Sequence, residues 1–97
     1  IMAERIDELA AEAQYLAGEV LFAQERWIDA EVQYLKVKYV FPAFTDWIAQ
    51  AVYRAGEANV RLGEPEKART LFQSVLDDYP NAPAAALARA ALERMPR

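Results

Sequence analysis

The sequence predicts an all-α solenoid, in which antiparallel helix pairs stack side by side. The first observation is an internal repeat, because four landmark residues recur 38 positions further along the chain: Gly18, Ala30, Tyr34 and Pro42 return as Gly56, Ala68, Phe72 and Pro80. The second is the 3- and 4-residue spacing of apolar residues, which is typical of amphipathic helices. A repeat period between about 20 and 50 residues indicates units that bury their apolar faces only by stacking on neighbours.

Composition narrows the possible functions. A chain of 97 residues with 55% hydrophobic content predicts one domain, residues 1–97, with a real core. The formal net charge is −4, and the basic residues are scattered along the sequence, so neither nucleic acid nor an anionic membrane is an expected partner. No segment approaches the roughly 20 apolar residues that span a bilayer.

The absence of certain residue types argues against catalysis. The chain has no cysteine and no histidine, which removes the usual transition-metal ligands and the usual general base. Carboxylates, two threonines and Ser74 are the conceivable reactive groups that remain. We therefore expect no catalytic residue, no metal site and no cofactor.

The first repeat, about residues 3–42, contains two predicted helices. Residues 3–23 carry apolar side chains at helical spacing, with charged side chains on the other side. Residues 27–41 form the second helix, and Pro42 ends it. The inward-facing stripe of this second helix is predicted to consist of Trp27, Ala30, Tyr34, Val37 and Phe41.

The second repeat, about residues 45–80, has the same plan. Its helices are predicted at 45–62 and 66–79, with Gly63 in the left-handed conformation that follows a helix end. Pro65 suits a first helical turn, because the N–H group that proline lacks would be unpaired there.

The alanine-rich segment at about residues 83–94 predicts a fifth helix. We expect this helix to cap the open end of the stack.

The duplicated landmarks resemble the tetratricopeptide repeat family, over about residues 11–94. The family motif places Trp-x-x-Leu-Gly-x-x-Tyr on a first helix, and Ala-x-x-x-Phe followed by proline on a second. The first repeat supplies Gln14, Ala17, Gly18, Leu21, Ala30, Tyr34 and Pro42, and the second supplies Val52, Ala55, Gly56, Asn59, Ala68, Phe72 and Pro80. Glycine, alanine, aromatic residue and proline match the motif, whereas the tryptophan, leucine and tyrosine of the first helix do not.

The resemblance implies a right-handed superhelical stack of two full repeats and a capping helix. It also implies a concave groove lined by the first helices, which holds a peptide or a helix of a partner protein. The corresponding residues here are Tyr15, Glu19, Phe22, Tyr53, Arg54, Glu57 and Arg61. If the two glutamates lie beside the two tyrosines, the groove favours a basic, partly apolar ligand. Alternatively, the glutamates are merely solvated and the tyrosines pack along the stack.

Three structural expectations follow. The small residues Gly18, Ala30, Gly56 and Ala68 should let the two helices of a pair approach closely, while Tyr34 and Phe72 fill the space between neighbouring pairs. Glu25 stands where the second repeat has Gly63, so we expect a strained left-handed residue. Four aromatic residues are expected to cluster where the second helix meets the third, either in the core or as an exposed patch: Trp27, Phe41, Phe44 and Trp47.

The sequence therefore favours a non-catalytic protein-binding scaffold. The alternative is a structural module that self-associates through the open ends of its solenoid, and an enzyme ranks third. The period of 38 and the Tyr79–Pro80 ending are similar to repeats of bacterial cell-envelope proteins. That likeness suggests the periplasm or the envelope without excluding the cytoplasm.

Overall fold

A computed structural model describes residues 2–96, and the side chains from residue 5 onward. It contains five α-helices and, within residues 2–96, no strand: α1 (Met2–Ala23), α2 (Trp27–Val40), α3 (Thr45–Arg61), α4 (Pro65–Asp78) and α5 (Pro83–Arg94). The predicted all-α class is confirmed, and each helix begins and ends within one residue of its predicted position. No described helix combines the length and apolar character that crossing a membrane requires.

The helices stack in chain order. Each packs against the next, and α3 also contacts α1 and α5, so α1, α3 and α5 form one layer while α2 and α4 form the other. The molecule is a slab of 46 × 30 × 17 Å. This is a stack of helix pairs, α1–α2 and α3–α4, closed by α5. Helix α3 lies at its centre, and nine of its 17 residues are buried.

Glycine and an aromatic ring set the spacing inside each pair. A Cβ atom built on Gly56 would lie 2.5 Å from Cε1 of Phe72, and one built on Gly18 would overlap the ring of Tyr34. Both rings therefore lie directly on the glycine of their own pair, where only a hydrogen atom leaves room for them. Tyr34 and Phe72 were expected to fill the space between neighbouring pairs. That expectation is wrong, because each ring instead packs against the glycine of its own pair.

Ala30 and Ala68 are fully buried, as their small side chains predict. The two pairs are joined by α3, whose Asn59 donates a hydrogen bond from Nδ2 to Oε2 of Glu31 on α2, at 2.8 Å. Gln50 Nε2 also donates to the hydroxyl of Tyr15 on α1, at 3.3 Å. Polar contacts therefore fix the register of the second pair on the first.

The two intra-pair turns have the same hydrogen-bond pattern. The N–H of Arg26 donates to the carbonyl of Leu21, and that of Glu25 donates to Phe22. Glu64 and Gly63 repeat these bonds with Asn59 and Val60, 38 residues later. This is the Schellman arrangement, which requires a left-handed residue after the helix. Gly63 has φ +74°, and Glu25 has φ 59°, so the predicted strain at Glu25 is confirmed.

The predicted cluster of all four aromatic residues between α2 and α3 does not form, because Trp27 and Trp47 each pack against α1. Trp27 begins α2 and packs edge-on against Phe22 of α1, with ring centroids 4.8 Å apart. Trp47 instead packs against Tyr15 of α1, at 5.6 Å. A helix of 14 residues is about 21 Å long, so residues at opposite ends of α2 cannot meet in one cluster.

We predict that Glu25→Gly stabilises the protein by about 1 kcal/mol, because glycine adopts a positive φ without steric cost. The matched control is Gly63→Ala, which should destabilise by a similar amount, since no atom lies within 4 Å of the added Cβ and the cost comes from the backbone alone. Urea unfolding of the three proteins measures both changes. An unchanged or lower stability of Glu25→Gly would contradict the strain.

We also predict that Gly56→Ala destabilises the protein by about 1–3 kcal/mol, because the added methyl group overpacks the contact with Phe72. The direction of the stability change identifies its cause, because a glycine-to-alanine substitution in a helix interior ordinarily stabilises a protein by about 0.5–1 kcal/mol. A double-mutant cycle with Phe72→Leu should show a smaller cost of Gly56→Ala in the variant background. Equal costs in both backgrounds would refute the contact.

Candidate functional site

A cavity of about 460 Å³ lies on the α1–α3–α5 side of the stack. We call it the groove cavity. Its lining includes four of the seven predicted groove residues: Phe22, Arg54, Glu57 and Arg61. Buried Phe72 and Ala91 also line it, together with residues at the end of α5 and in the turn between α3 and α4. Four helices, α1, α3, α4 and α5, therefore build the site together with the turn between α3 and α4.

Arg54 of α3 is the polar centre of this region. Its Nε donates to Oε1 of Glu19 on α1 at 2.7 Å, and an Nη donates to Oε1 of Glu57 at 2.8 Å. The hydroxyl of Tyr34 donates to the same Glu19 oxygen at 2.5 Å. The guanidinium carbon lies 3.8 Å from the ring centroid of Phe22, so the cation also stacks on an aromatic face. One arginine thus joins two carboxylates and bridges α1 to α3.

The environment keeps Glu19 and Arg54 ionised. Burial by itself raises the pKa of Glu19, but hydrogen bonds from Arg54 and Tyr34 outweigh it and leave the pKa below its ordinary value. Burial likewise favours the neutral form of Arg54, and the hydrogen bonds to Glu19 and Glu57 more than compensate, so its pKa is raised. The pKa of Tyr34 is raised, first by burial and then by donation to Glu19.

The two predicted groove tyrosines lie largely in the core. Tyr15 is 9% exposed and Tyr53 is 8% exposed. Tyr15 packs between Tyr34 and Trp47, and Tyr53 packs against Phe72 with ring centroids 5.8 Å apart. Neither lines the groove cavity. Burial raises the pKa of both hydroxyls. The alternative in which these tyrosines pack along the stack describes their position. Its other half is wrong, because Glu19 and Glu57 are not merely solvated but ion-paired with Arg54. Glu19 does not line the groove cavity.

Sequence reasoning missed the contribution of α5. Arg94 of α5 lines the groove cavity, as do Met95 and Pro96, which follow the helix. The prediction assigned this helix to capping only. The signal was present, because a helix that begins a third repeat occupies the same layer as α1 and α3 and so extends the surface that they line.

The charges around the groove cavity differ from the expected aromatic–carboxylate surface. Three arginines and one glutamate line it: Arg54, Arg61, Arg94 and Glu57. That glutamate, like Glu19, is ion-paired with Arg54. The side chains that line the groove cavity are therefore mainly apolar and cationic. No group of three or more acidic, histidine or cysteine side chains suited to a metal ion occurs within the described part of the chain.

A family model described as a tetratricopeptide repeat matches residues 50–82. The match begins within α3, crosses the turn at Gly63 and ends just before α5, so it covers most of the second pair. This supports the resemblance drawn from Gly56, Ala68, Phe72 and Pro80. No curated protein matches the sequence. Repeats of this family commonly mediate contacts between proteins.

We predict that Glu19→Gln lowers the free energy of unfolding at pH 7 by roughly 1 kcal/mol, the scale of a partly exposed charged hydrogen bond. Because the pKa of Glu19 is lowered by folding, its contribution is full above the ordinary value of 4.5 and is lost as pH falls through the folded-state value. The difference between wild type and variant should therefore shrink below pH 4.5.

Glu8→Gln is the control for this prediction, because Glu8 is an exposed carboxylate on the same helix. Urea unfolding at pH 7 and pH 3 measures the difference for both variants. A deficit of Glu19→Gln that is the same at both pH values would mean that the ionised carboxylate is not the stabilising species.

Proposed function

We propose that this chain is a non-catalytic protein-binding scaffold, and that the groove cavity holds a peptide or a helix of its partner. The cavity itself carries the proposal. Its volume of about 460 Å³ lies within the range of roughly 300–1,000 Å³ that is usual for small-molecule and cofactor pockets. A few side chains of an extended or helical segment fill such a volume.

The walls of the cavity suit protein ligands. Phe22, Val60 and Met95 supply apolar surface, while Arg54, Arg61 and Arg94 supply directional donors. Apolar anchoring surface combined with arginine is the composition of energetically dominant protein contacts. Nothing in this lining provides a nucleophile paired with a general base.

The site is also held in place before any ligand arrives. Ion pairs with Glu19 and Glu57 and stacking on the Phe22 ring hold the side chain of Arg54 in one orientation. Glu19 is in turn fixed by Tyr34, whose ring lies on Gly18. A fixed side chain loses little rotamer entropy on binding, and this favours affinity.

We predict that Val60→Trp, which places a bulky side chain in the groove cavity, weakens peptide binding. The probe is a displayed library of random 12-residue peptides, selected on the wild-type chain. Val32→Trp is the matched control, because Val32 is 49% exposed and Val60 is 48% exposed, and Val32 on α2 does not line the cavity. Selected peptides should lose at least about tenfold in affinity for the first variant and less than about twofold for the second.

Circular dichroism should give both tryptophan variants the helix content of the wild type, so that any loss reports the cavity and not unfolding. If every selected peptide binds Val60→Trp as tightly as the wild type, the groove cavity is not the binding surface.

A second candidate function is self-association, which an exposed apolar stripe on α1 favours. The stripe consists of Ile6, Leu9, Leu16 and Val20, all of which are substantially exposed. Three of their counterparts 38 residues later, Trp47, Arg54 and Ala58, lie on α3, and there Trp47 and Arg54 pack on α1. In the second repeat, this face is therefore covered by a neighbouring pair. Sedimentation velocity of the wild type and Leu16→Glu separates the candidates, since a monomer at every concentration rejects self-association.

The cellular setting is part of the proposal. The period of 38 and the Tyr79–Pro80 ending favour a bacterial cell envelope, where repeats of this kind occur. Fractionation of producing cells tests this, and recovery of the chain in the cytosolic fraction alone would reject it.

A further inference from the structure

We propose that the groove cavity selects a peptide segment in which an acidic side chain stands next to an aliphatic or aromatic one. This inference rests on the proposed function and specifies the partner. It replaces the basic ligand that the sequence favoured, because the carboxylates that were to bind a basic ligand are engaged within the protein.

The local charge is the first argument. The chain has a net charge of −4, yet three of its 11 basic residues line one cavity. The one carboxylate in that lining, Glu57, is bound by Arg54 at 2.8 Å. A cationic cavity in an acidic protein presents an anionic ligand with a local attraction that the rest of the surface lacks.

The partners of the arginines are the second argument. The salt bridges among residues 5–96 include Arg54 twice and neither Arg61 nor Arg94. Both of these side chains are exposed, so a ligand carboxylate can reach them without breaking an existing ion pair. The guanidinium carbon of Arg61 lies 5.5 Å from the ring centroid of Trp27. This contact orients the cation but does not neutralise its charge.

The apolar lining is the third argument. Phe72 and Ala91 are buried, and Phe22 and Val60 lie beside them around the same cavity. Met95 is the flexible member of the wall, and methionine adapts readily to ligands of different shape. An aliphatic or aromatic side chain that enters here removes apolar surface from water on both partners. The ligand thus needs one acidic group for Arg61 and Arg94, and one apolar group for the interior.

A basic ligand fits these observations poorly. Its cation would face Arg61 and Arg94, and the carboxylates of Glu19 and Glu57 are already ion-paired with Arg54. Like charges placed together in a partly desolvated site are strongly unfavourable.

The test uses the same displayed 12-residue peptides, selected on wild type and sequenced. We expect aspartate or glutamate to be enriched next to leucine, isoleucine or phenylalanine. The double variant Arg61→Glu with Arg94→Glu should weaken these peptides at least about tenfold, because two attractive contacts become repulsive. Peptides with their acidic residues changed to lysine should instead prefer the double variant to the wild type.

The control is Lys36→Glu with Arg89→Glu, which changes the formal charge by the same amount. Both residues are exposed, and neither lines the groove cavity. This control should change affinity by less than about twofold, and all variants should keep the wild-type circular dichroism spectrum.

Enriched peptides that are basic or neutral, and that still lose binding to Val60→Trp, would overturn the acidic-ligand proposal while protein binding in the cavity stands. Equal weakening by the control pair would also overturn it, since the effect would then reflect net charge. If no selected peptide depends on Val60, both proposals fail.

Discussion

The close contact between an aromatic ring and a glycine inside each helix pair determines much of the rest of this structure. Because Gly18 has no side chain, the ring of Tyr34 lies directly on α1, and its hydroxyl meets Glu19. Glu19 then receives Arg54 from the next pair. A packing requirement at one glycine is therefore transmitted through a hydrogen bond into the position of a charged residue at the candidate binding site.

The two pairs use this contact differently, although their landmarks match. In the first pair the ring belongs to tyrosine, and its hydroxyl takes part in the network that joins the pairs. In the second pair it belongs to Phe72, which has no hydroxyl, and the ring lines the groove cavity. The same ring-on-glycine contact therefore supplies a hydrogen-bonding hydroxyl in the first repeat and an apolar wall of the cavity in the second. The repeat specifies the backbone, and the variation between its copies specifies the site.

The fold could be predicted from the sequence because its determinants are local or periodic. The spacing of apolar residues, the prolines and the duplicated glycine–alanine–aromatic pattern placed every helix within one residue, and the counterpart of Gly63 identified the strained backbone at Glu25. The site was harder to predict, since its charges depend on distances between helices. Arg54 was assigned to the groove, but nothing in its sequence context showed that it bridges Glu19 on another helix. Tyr15 and Tyr53 occupy matching positions, and periodicity alone does not distinguish the buried face from the groove at those positions.

The groove cavity is assembled from separate layers of the stack, and this links occupancy to the integrity of the stack. Phe22 comes from the first pair, Arg61 from the second and Arg94 from the closing helix. In a solenoid, each unit is held mainly by its immediate neighbours, so the ends can detach while the centre stays folded. Detachment of α1 would remove Phe22 and Glu19 from Arg54, and detachment of α5 would remove Arg94. If either end is detached, the cavity is incomplete. A ligand that contacts all three parts of the cavity would therefore bind only the fully stacked molecule and stabilise it.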